Sequence, residues 1–515
     1  MTVSQSTDTA GEQGRHDDRT PFQRLAENPE PFLRWAGVAA VLVLLELGAF
    51  FGGILTLLDA LVLGVTGVLE ALVNLVSPTV GGLVFLAQEF LRGFIQGFRT
   101  TVESWPTLLS RETIPNAGYK TGPDGRWKGT FLGLEPAVAW AIRAVLIVAY
   151  SIFSSYWAFR GWLVYRNNYR VADWTPTDDV VDRLRDHRWG QFGIIVLLLF
   201  TTMGLFGPAL GPTTVDGNIV DPYSNEVTYY DAESGEVKQT TAGAANFDTK
   251  SKGTQETNVG PMTYDSYGRF HPFGTNVNGR DLFTYMMGGA RITLIVAGMA
   301  IGIAALVAVV LSMVSAFYSG TVDLTVLTLA DGVISVPQLL LIIMVSTVFA
   351  NHWLGKALNG GLLLALVFGF TTWPFLWRAV RGPALQVAEE EWIMAAESFG
   401  QRPRTVMRKH MLPYILGYLL VYASMSVGGI IITTAALSFL GNGLGITQPT
   451  PAWGRAVSQG QQYVSGPSWH ISFIPGVIIV ILVTGLNAFG DGIRDAIDPE
   501  AFDDEAEEAA AGGGA

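Results

Sequence analysis

The chain has no cysteine, which excludes disulfide scaffolds, thiolate zinc sites and cysteine nucleophiles. It is also poor in charge. Only 15% of its 515 residues are Asp, Glu, Lys or Arg, against about 25% in an average soluble protein. That deficit argues against a soluble enzyme, and the 49% hydrophobic content argues against intrinsic disorder. Lysine is the scarcest charge, with seven positions: Lys120, Lys128, Lys238, Lys250, Lys252, Lys356 and Lys409. The 32 basic residues face 44 acidic ones, a net charge of −12. With no basic block, no nucleic-acid partner is expected. An acidic balance with scarce lysine fits a high-salt organism, where acidic surfaces stay soluble; a GC-rich genome would also favour Arg over Lys.

Several chemical signatures are missing too. Six scattered histidines and no H-E-x-x-H leave a metal or acid–base site without support. No G-x-x-x-x-G-K-[ST] occurs, so the chain has no P-loop of its own. The stretch 274–281, GTNVNGRD, superficially resembles a glycine-rich phosphate loop, but no strand pattern precedes it.

What is present is apolar sequence in long runs, and the mean hydropathy is +0.34. A bilayer core about 30 Å thick needs about 20 apolar helical residues. Runs of that size predict six spans near 192–209, 292–317, 327–349, 360–379, 414–438 and 471–490. Upstream, 35–58 is apolar apart from Glu46, and 136–159 apart from Arg143; both are expected to span. Between them, Asp59, Thr66, Glu70, Asn74 and Ser77 fall on one helical face, as do Gln88, Arg92, Gln96 and Arg99. Residues 59–98 therefore read as amphipathic helices lying at the membrane interface. A further span is the alternative there.

Orientation follows from the basic residues of short loops. Segment 160–190 carries Arg160, Arg166, Arg170, Arg183, Arg185 and Arg188; segment 378–410 carries Arg378, Arg381, Arg402, Arg404, Arg408 and Lys409. The loops 350–360 and 440–470 hold one basic residue each, Lys356 and Arg455. The expectation is that 160–190 and 378–410 are cytoplasmic, that both termini are too, and that 211–280 is a long external loop with a few hairpin turns. The division is then a polar cytoplasmic N-terminus (1–31), a membrane extension (32–175), a core (180–499) and an acidic flexible tail (500–515). The first 30 residues are polar and show no signal-peptide core. Inside a span a charge is a functional candidate by default. Asp331 and Glu46 qualify, with a structural partner the alternative to a transport role for Asp331.

The most informative cytoplasmic segment is 389–413, EEEWIMAAESFGQRPRTVMRKHMLP. It reads as two short helices with a turn at Gly400. Three glutamates open the first, where the helix dipole favours them. Gly400 suits a left-handed C-terminal position, and Pro403 suits the first turn of the second helix. Arg408, Lys409 and His410 suit its end. Such a pair is a docking surface, unless the basic loop merely sets topology.

The spacing Ala395-Ala396-x3-Gly400, followed by Leu412-Pro413, resembles the signature loop of ABC importer permeases. The resemblance extends to His271-Pro-Phe-Gly-Thr before Gly279-Arg-Asp281, Gly289-Ala-Arg291-Ile, Ala436-Leu-Ser-Phe-Leu-Gly441, Thr450-Pro-Ala-Trp-Gly454 and Gly490-Asp-Gly-Ile-Arg-Asp-Ala-Ile-Asp-Pro499. These motifs are similar to the dipeptide, oligopeptide and nickel branch, second-permease (C-type) subunit, over about 180–499. Met394 departs from the pattern, standing where the family has the Glu of Glu-Ala-Ala; Glu391 or Glu397 is the candidate substitute.

The resemblance implies an all-α membrane protein with a type I importer core of six spans, here preceded by an extension with about two more. It implies a homologous second permease, two ATP-binding subunits that hold ATP and magnesium, an extracellular solute-binding protein, and no catalysis or cofactor in this chain. The site residues it implies are those of the ATPase-coupling loop, Ala395, Ala396, Glu397, Gly400, Leu412 and Pro413. The expected cargo is a di- or oligopeptide, with nickel or an oligosaccharide as alternatives and a haloarchaeal source. A self-sufficient secondary transporter would need carboxylates in matched repeat halves, and no such repeat is visible.

Overall fold

In a computed structural model, the protein is described over residues 20–48, 78–103, 105, 107–122, 125–170, 176–250, 258–441 and 444–497, with scattered positions between 51 and 73. The expected acidic tail, most of the polar N-terminus, and Glu70, Asn74 and Ser77 lie outside the described residues.

Helices dominate. The extension contributes α1 (Pro21–Glu27), α2 (Glu30–Leu45), α3 (Pro78–Glu103) and α4 (Pro136–Asn168). A short α5 (Pro176–Asp186) leads into α6 (Arg188–Leu210). The insertion that follows holds α7 (Ala242–Asp248), then comes α8 (Leu282–Tyr318). Next are α9 (Gly320–Ile334), α10 (Gln338–Val348), α11 (Trp353–Lys356), α12 (Gly361–Ala388), α13 (Glu391–Ser398), α14 (Pro403–Val406), α15 (Leu412–Leu440), α16 (Trp453–Gly460) and α17 (His470–Ile497). Among the described residues, strands occur in three antiparallel pairs: β1 (Tyr119–Lys120) with β2 (Trp127–Lys128), β3 (Glu226–Asp231) with β4 (Glu236–Thr241), and β5 (Thr263–Tyr264) with β6 (Phe270–His271).

Among the described residues, six helices are long and apolar enough to cross a membrane: Pro136–Asn168, Arg188–Leu210, Leu282–Tyr318, Trp353–Ala388, Pro403–Leu440 and His470–Ile497. Together they make this a multi-pass membrane protein. Two of the expected spans are not single straight helices. The run 327–349 is not one straight span: α9 and α10 meet at 72°, and Pro337, which cannot donate a backbone hydrogen bond, caps the second piece. The run 35–58 is also interrupted. Helix α2 stops at Leu45 after 16 residues, about 24 Å. Glu46 caps it and turns inward, only 3% exposed, to accept the Leu109 amide at 2.9 Å.

Helix α3 is amphipathic with its polar stripe partly inward. Gln88 is buried and Arg92 pairs with Asp59 at 3.0 Å, while Phe90, Phe94 and Phe98 point out. An aromatic face of that kind suits lipid.

Small residues let the core helices approach. A Cβ on Gly193 of α6 would sit 2.4 Å from the Phe489 amide of α17, and one on Gly485 would meet Val196 at the same distance. Such seams replace the hydrophobic drive that lipid does not supply. The extension is fastened differently. Arg143 of α4, fully buried, donates to the carbonyls of Ile114 (2.7 Å), Ala209 (2.8 Å) and Gly211 (2.9 Å). Trp140 Nε1 adds a bond to Leu210 at 2.8 Å. The unpaired carbonyls and negative dipole end of α6 are thus capped by a neighbour's cation and indole.

The connections sort into two ends. Asn116 reaches Pro212, Tyr264 takes the Ala137 amide, Asn258 donates to Ser468, and Thr447 donates to Asn359. The described residues of 105–134, 211–281, 349–360 and 441–469 therefore form one cap. At the opposite end, Arg24 bonds Arg170, Arg183 bonds Ala496, and His187 meets Asp495 at 3.1 Å.

Candidate functional site

The segment 389–413 lies at that opposite end, between α12 and α15. Helix α13 is short because Glu390 opens it and Gly400, at φ +74°, ends the turn after it. A side chain at Gly400 would meet no atom within 4 Å, so its requirement is conformational alone. The second piece is not a separate helix. Helix α14 runs through a π turn, Met407–Met411, straight into α15. The π register, Leu412 N bonded to Met407 O, falls just before Pro413, which has no N–H to continue the ladder. Leu412 is half-buried and Pro413 exposed in the first turn of α15.

The two alanines part company. Ala395 is exposed, whereas Ala396 is buried with Ile393 against Ala384, Val387, Val406 and Met411 of the chain's own core. Of the two alanines only Ala395 faces outward; the small side chain of Ala396 lets α13 sit on the chain's own bundle. Glu391, Met394 and Glu397 are all exposed. The sequence reading missed Phe399, which is 89% exposed, and Trp392, whose ring lies 5.8 Å from His410. With Met394 they give the outer surface of the loop an apolar character. The inner face ties it to α12 and α15, so force on α13 has a packed route into two spans.

Asp331 does not face the bundle interior. It forms an ion pair with Arg378, and Asp323 pairs with Arg381, Oδ1 lying 2.7 Å from Nε. The two pairs bind α9 to α12 in antiparallel register, the structural alternative for Asp331.

The other motifs converge in and beneath the cap. Trp453 Nε1 donates to Met286 O at 2.8 Å, and its ring fills the space a Cβ on Gly289 would take. The Ala452 amide donates to the Tyr285 hydroxyl at 3.2 Å. His271 and Asp281 join a buried network: His271 Nδ1 lies 2.9 Å from Asp281 Oδ2, and Nε2 lies 3.4 Å from Asp265 Oδ2. Arg269 donates to Asp265 at 2.7 Å and to Asn246 at 2.8 Å. Burial opposes charge on His271, but its two carboxylate partners outweigh that and raise its pKa above the ordinary value. Burial likewise opposes charge on Asp265, yet His271 and Arg269 hold its carboxyl below the usual range.

This geometry also disposes of a phosphate loop at 274–281. Asn276 Oδ1 accepts the amides of Asn278 (3.0 Å) and Arg280 (3.1 Å), and Asp281 itself caps α8 by accepting the Thr284 amide at 2.7 Å. The N–H groups that would hold an anion are already used. Gly279, at φ +72°, lies against Asn246, whose carbonyl would be 1.8 Å from a Cβ.

A bundle of helices long and apolar enough to cross a membrane, joined at one end by a two-sided loop, defines a multi-pass membrane protein. Comparison with known proteins specifies the family. Residues 285–502 match the model of the binding-protein-dependent transport system inner membrane component. The chain is 34% identical over 230 residues to the dipeptide transport system permease protein of Alkalihalophilus pseudofirmus, covering 45% of this chain and 72% of that one. It is 29% identical over 324 residues to the corresponding protein of Bacillus subtilis, covering 63% and 86%. A glutathione transport system permease protein of Escherichia coli is 32% identical over 231 residues, covering 45% and 72%. The chain belongs to this family of ABC importer permeases.

Proposed function

We propose that this permease carries short peptides inward, driven by ATP hydrolysis on two partner subunits and supplied by an extracellular binding protein. The peptide cargo is supported by the relatives' names, which include dipeptide and glutathione transport. Nickel or oligosaccharide cargo has support only from the branch resemblance. A homologous second permease would complete the pathway. The cap containing 211–281 would face outside, and both termini with the 389–413 loop would face the cytoplasm, as the arginine bias argues.

The observation that carries the coupling role is the two-sidedness of α13: Ile393 and Ala396 locked into the chain's own core, and Met394, Ala395 and Phe399 offered outward. In this reading the outer face seats in an ATPase groove, Glu397 or Glu391 supplies the acid that Met394 lacks, and Gly400 sets the angle to α14. Leu412 and Pro413 pass the motion into α15. The test is reconstitution of the full set of subunits in vesicles. Labelled dipeptide should accumulate only with ATP and the binding protein both present; accumulation without either would contradict the proposal.

A further inference from the structure

Between the extension and the insertion lies a cavity of about 460 Å³ that neither forms alone. Arg111, Asn116 and Lys128 come from the extension; Asn218, Glu226 and Arg269 come from the insertion. Every residue lining it precedes 285, where the match to the family model begins. The cavity therefore lies outside the segment that the family model matches, although His271 and Asp281 in its wall belong to a motif of the family resemblance.

Three of its side chains are anchored on one side and unanswered on the other. Arg269 spends Nε on Asp265 and Nη1 on Asn246, while its buried Nη2 has no partner. Arg111 gives Nη2 to the Pro208 carbonyl, and its buried Nε has no partner. Asn116 gives Nδ2 to Pro212 at 3.0 Å and leaves a buried Oδ1 unbonded. Buried polar groups are costly to leave unpaired. Here two cationic donors and one neutral acceptor border the same space.

We infer that this cavity is an acceptor site for a carboxylate with a neighbouring N–H donor, the chemistry of the C-terminus of a short peptide. The guanidinium N–H groups would bind the carboxylate through charge-assisted bonds. Asn116 Oδ1 would take the terminal amide N–H. Glu226 and Asp281 also line the space, which disfavours a doubly charged anion such as phosphate. The inference rests on the peptide reading for the class of cargo.

The test is calorimetric binding to the full chain in lipid nanodiscs, with the dipeptide Ala-Ala, its C-terminal amide, acetate and inorganic phosphate as probes. Ala-Ala should bind, and the amide should bind at least about tenfold more weakly. Arg269→Gln and Arg111→Gln should each weaken Ala-Ala by about tenfold. Arg269→Lys, which keeps charge but loses the planar fork, should fail to restore it. If Arg269→Gln lowers the melting temperature, Arg111→Gln, at a half-exposed position, carries the test. Equal binding of the amide, unchanged binding in both Gln variants, or phosphate binding as well as Ala-Ala would overturn the assignment. Dipeptide uptake by the reconstituted transporter separates the two claims. Uptake without binding at this cavity sinks the site alone; binding without uptake sinks the cargo reading alone.

Discussion

The core and the extension are joined to the bundle by opposite means. Where α6 crosses α17, Gly193 and Gly485 bring backbone against backbone and side chain. Where α4 meets α6, one buried arginine and one indole reach across to carbonyls at a helix end. Packing of the first kind is spread over many small contacts, and any added atom disrupts it. Fastening of the second kind is concentrated in a few donors, and removing one residue undoes it. The core therefore tolerates little growth at its seams, while the extension adds a concentrated polar anchor to the apolar contacts of Leu109 and Ile147.

The largest effect should come from the seam. Gly193→Leu would drive a side chain into the Phe489 backbone, at a cost of roughly 3 kcal/mol or more. We expect loss of folded protein from the membrane, read by detergent-resistant monodisperse protein on size exclusion. Recovery at the level of the native chain would show that the seam can spread.

Next is Arg143→Leu. It strips three carbonyls of their donor in a buried site, at about 3 kcal/mol. Limited proteolysis should now release fragments of 20–170 while 188–497 stays protected. Simultaneous digestion of both regions would mean that the two form one cooperative unit, erasing the contrast.

Much of this contrast was not legible in the sequence. Six of the eight expected spans were, because a long uncharged run reads most directly as a bilayer crossing. The break at Glu46 was not, because its partner, the Leu109 amide, is 63 residues away. Arg143 was visible only as an intrusion in an apolar run; that it caps another helix depends on tertiary placement. The loop 389–413 was legible by its Gly400 turn and its alanines, yet the division between them was overlooked. Ile393 and Ala396 are three apart, the spacing of one helical face, and that periodicity was the available signal. His271 and Asp281 stood out in a motif, but their link through Asp265 needs the β5–β6 hairpin to bring the three together.

A smaller effect should come from Gly400→Val. No atom obstructs the side chain, so the penalty is the positive φ alone, about 1 kcal/mol. The chain should insert and melt almost normally while ATP-driven uptake falls. Uptake equal to the native level would show that the angle between α13 and α14 does not matter.

The smallest effect is pH dependence of the cap. The folded pKa of His271 is raised, so its contribution is complete below the unfolded value of about 6.5 and is lost as pH rises through the folded value. The folded pKa of Asp265 is lowered, so its contribution is present above about pH 3.9 and is lost as pH falls through the folded value. Hydrogen exchange of 258–281 should be slowest between those limits and quicken on the alkaline side. His271→Asn should flatten the alkaline limb; an unchanged profile would remove His271 from the account.

The coupling claim meets its most direct test at Phe399. Its side chain is 89% exposed and contributes nothing to the chain's own core, so Phe399→Asp changes only the surface offered to a partner. Copurification of the ATPase with the permease should be measured beside the thermal melting of the permease alone. The account predicts loss of the ATPase with melting unchanged. Full retention of the ATPase by a Phe399→Asp permease would contradict it.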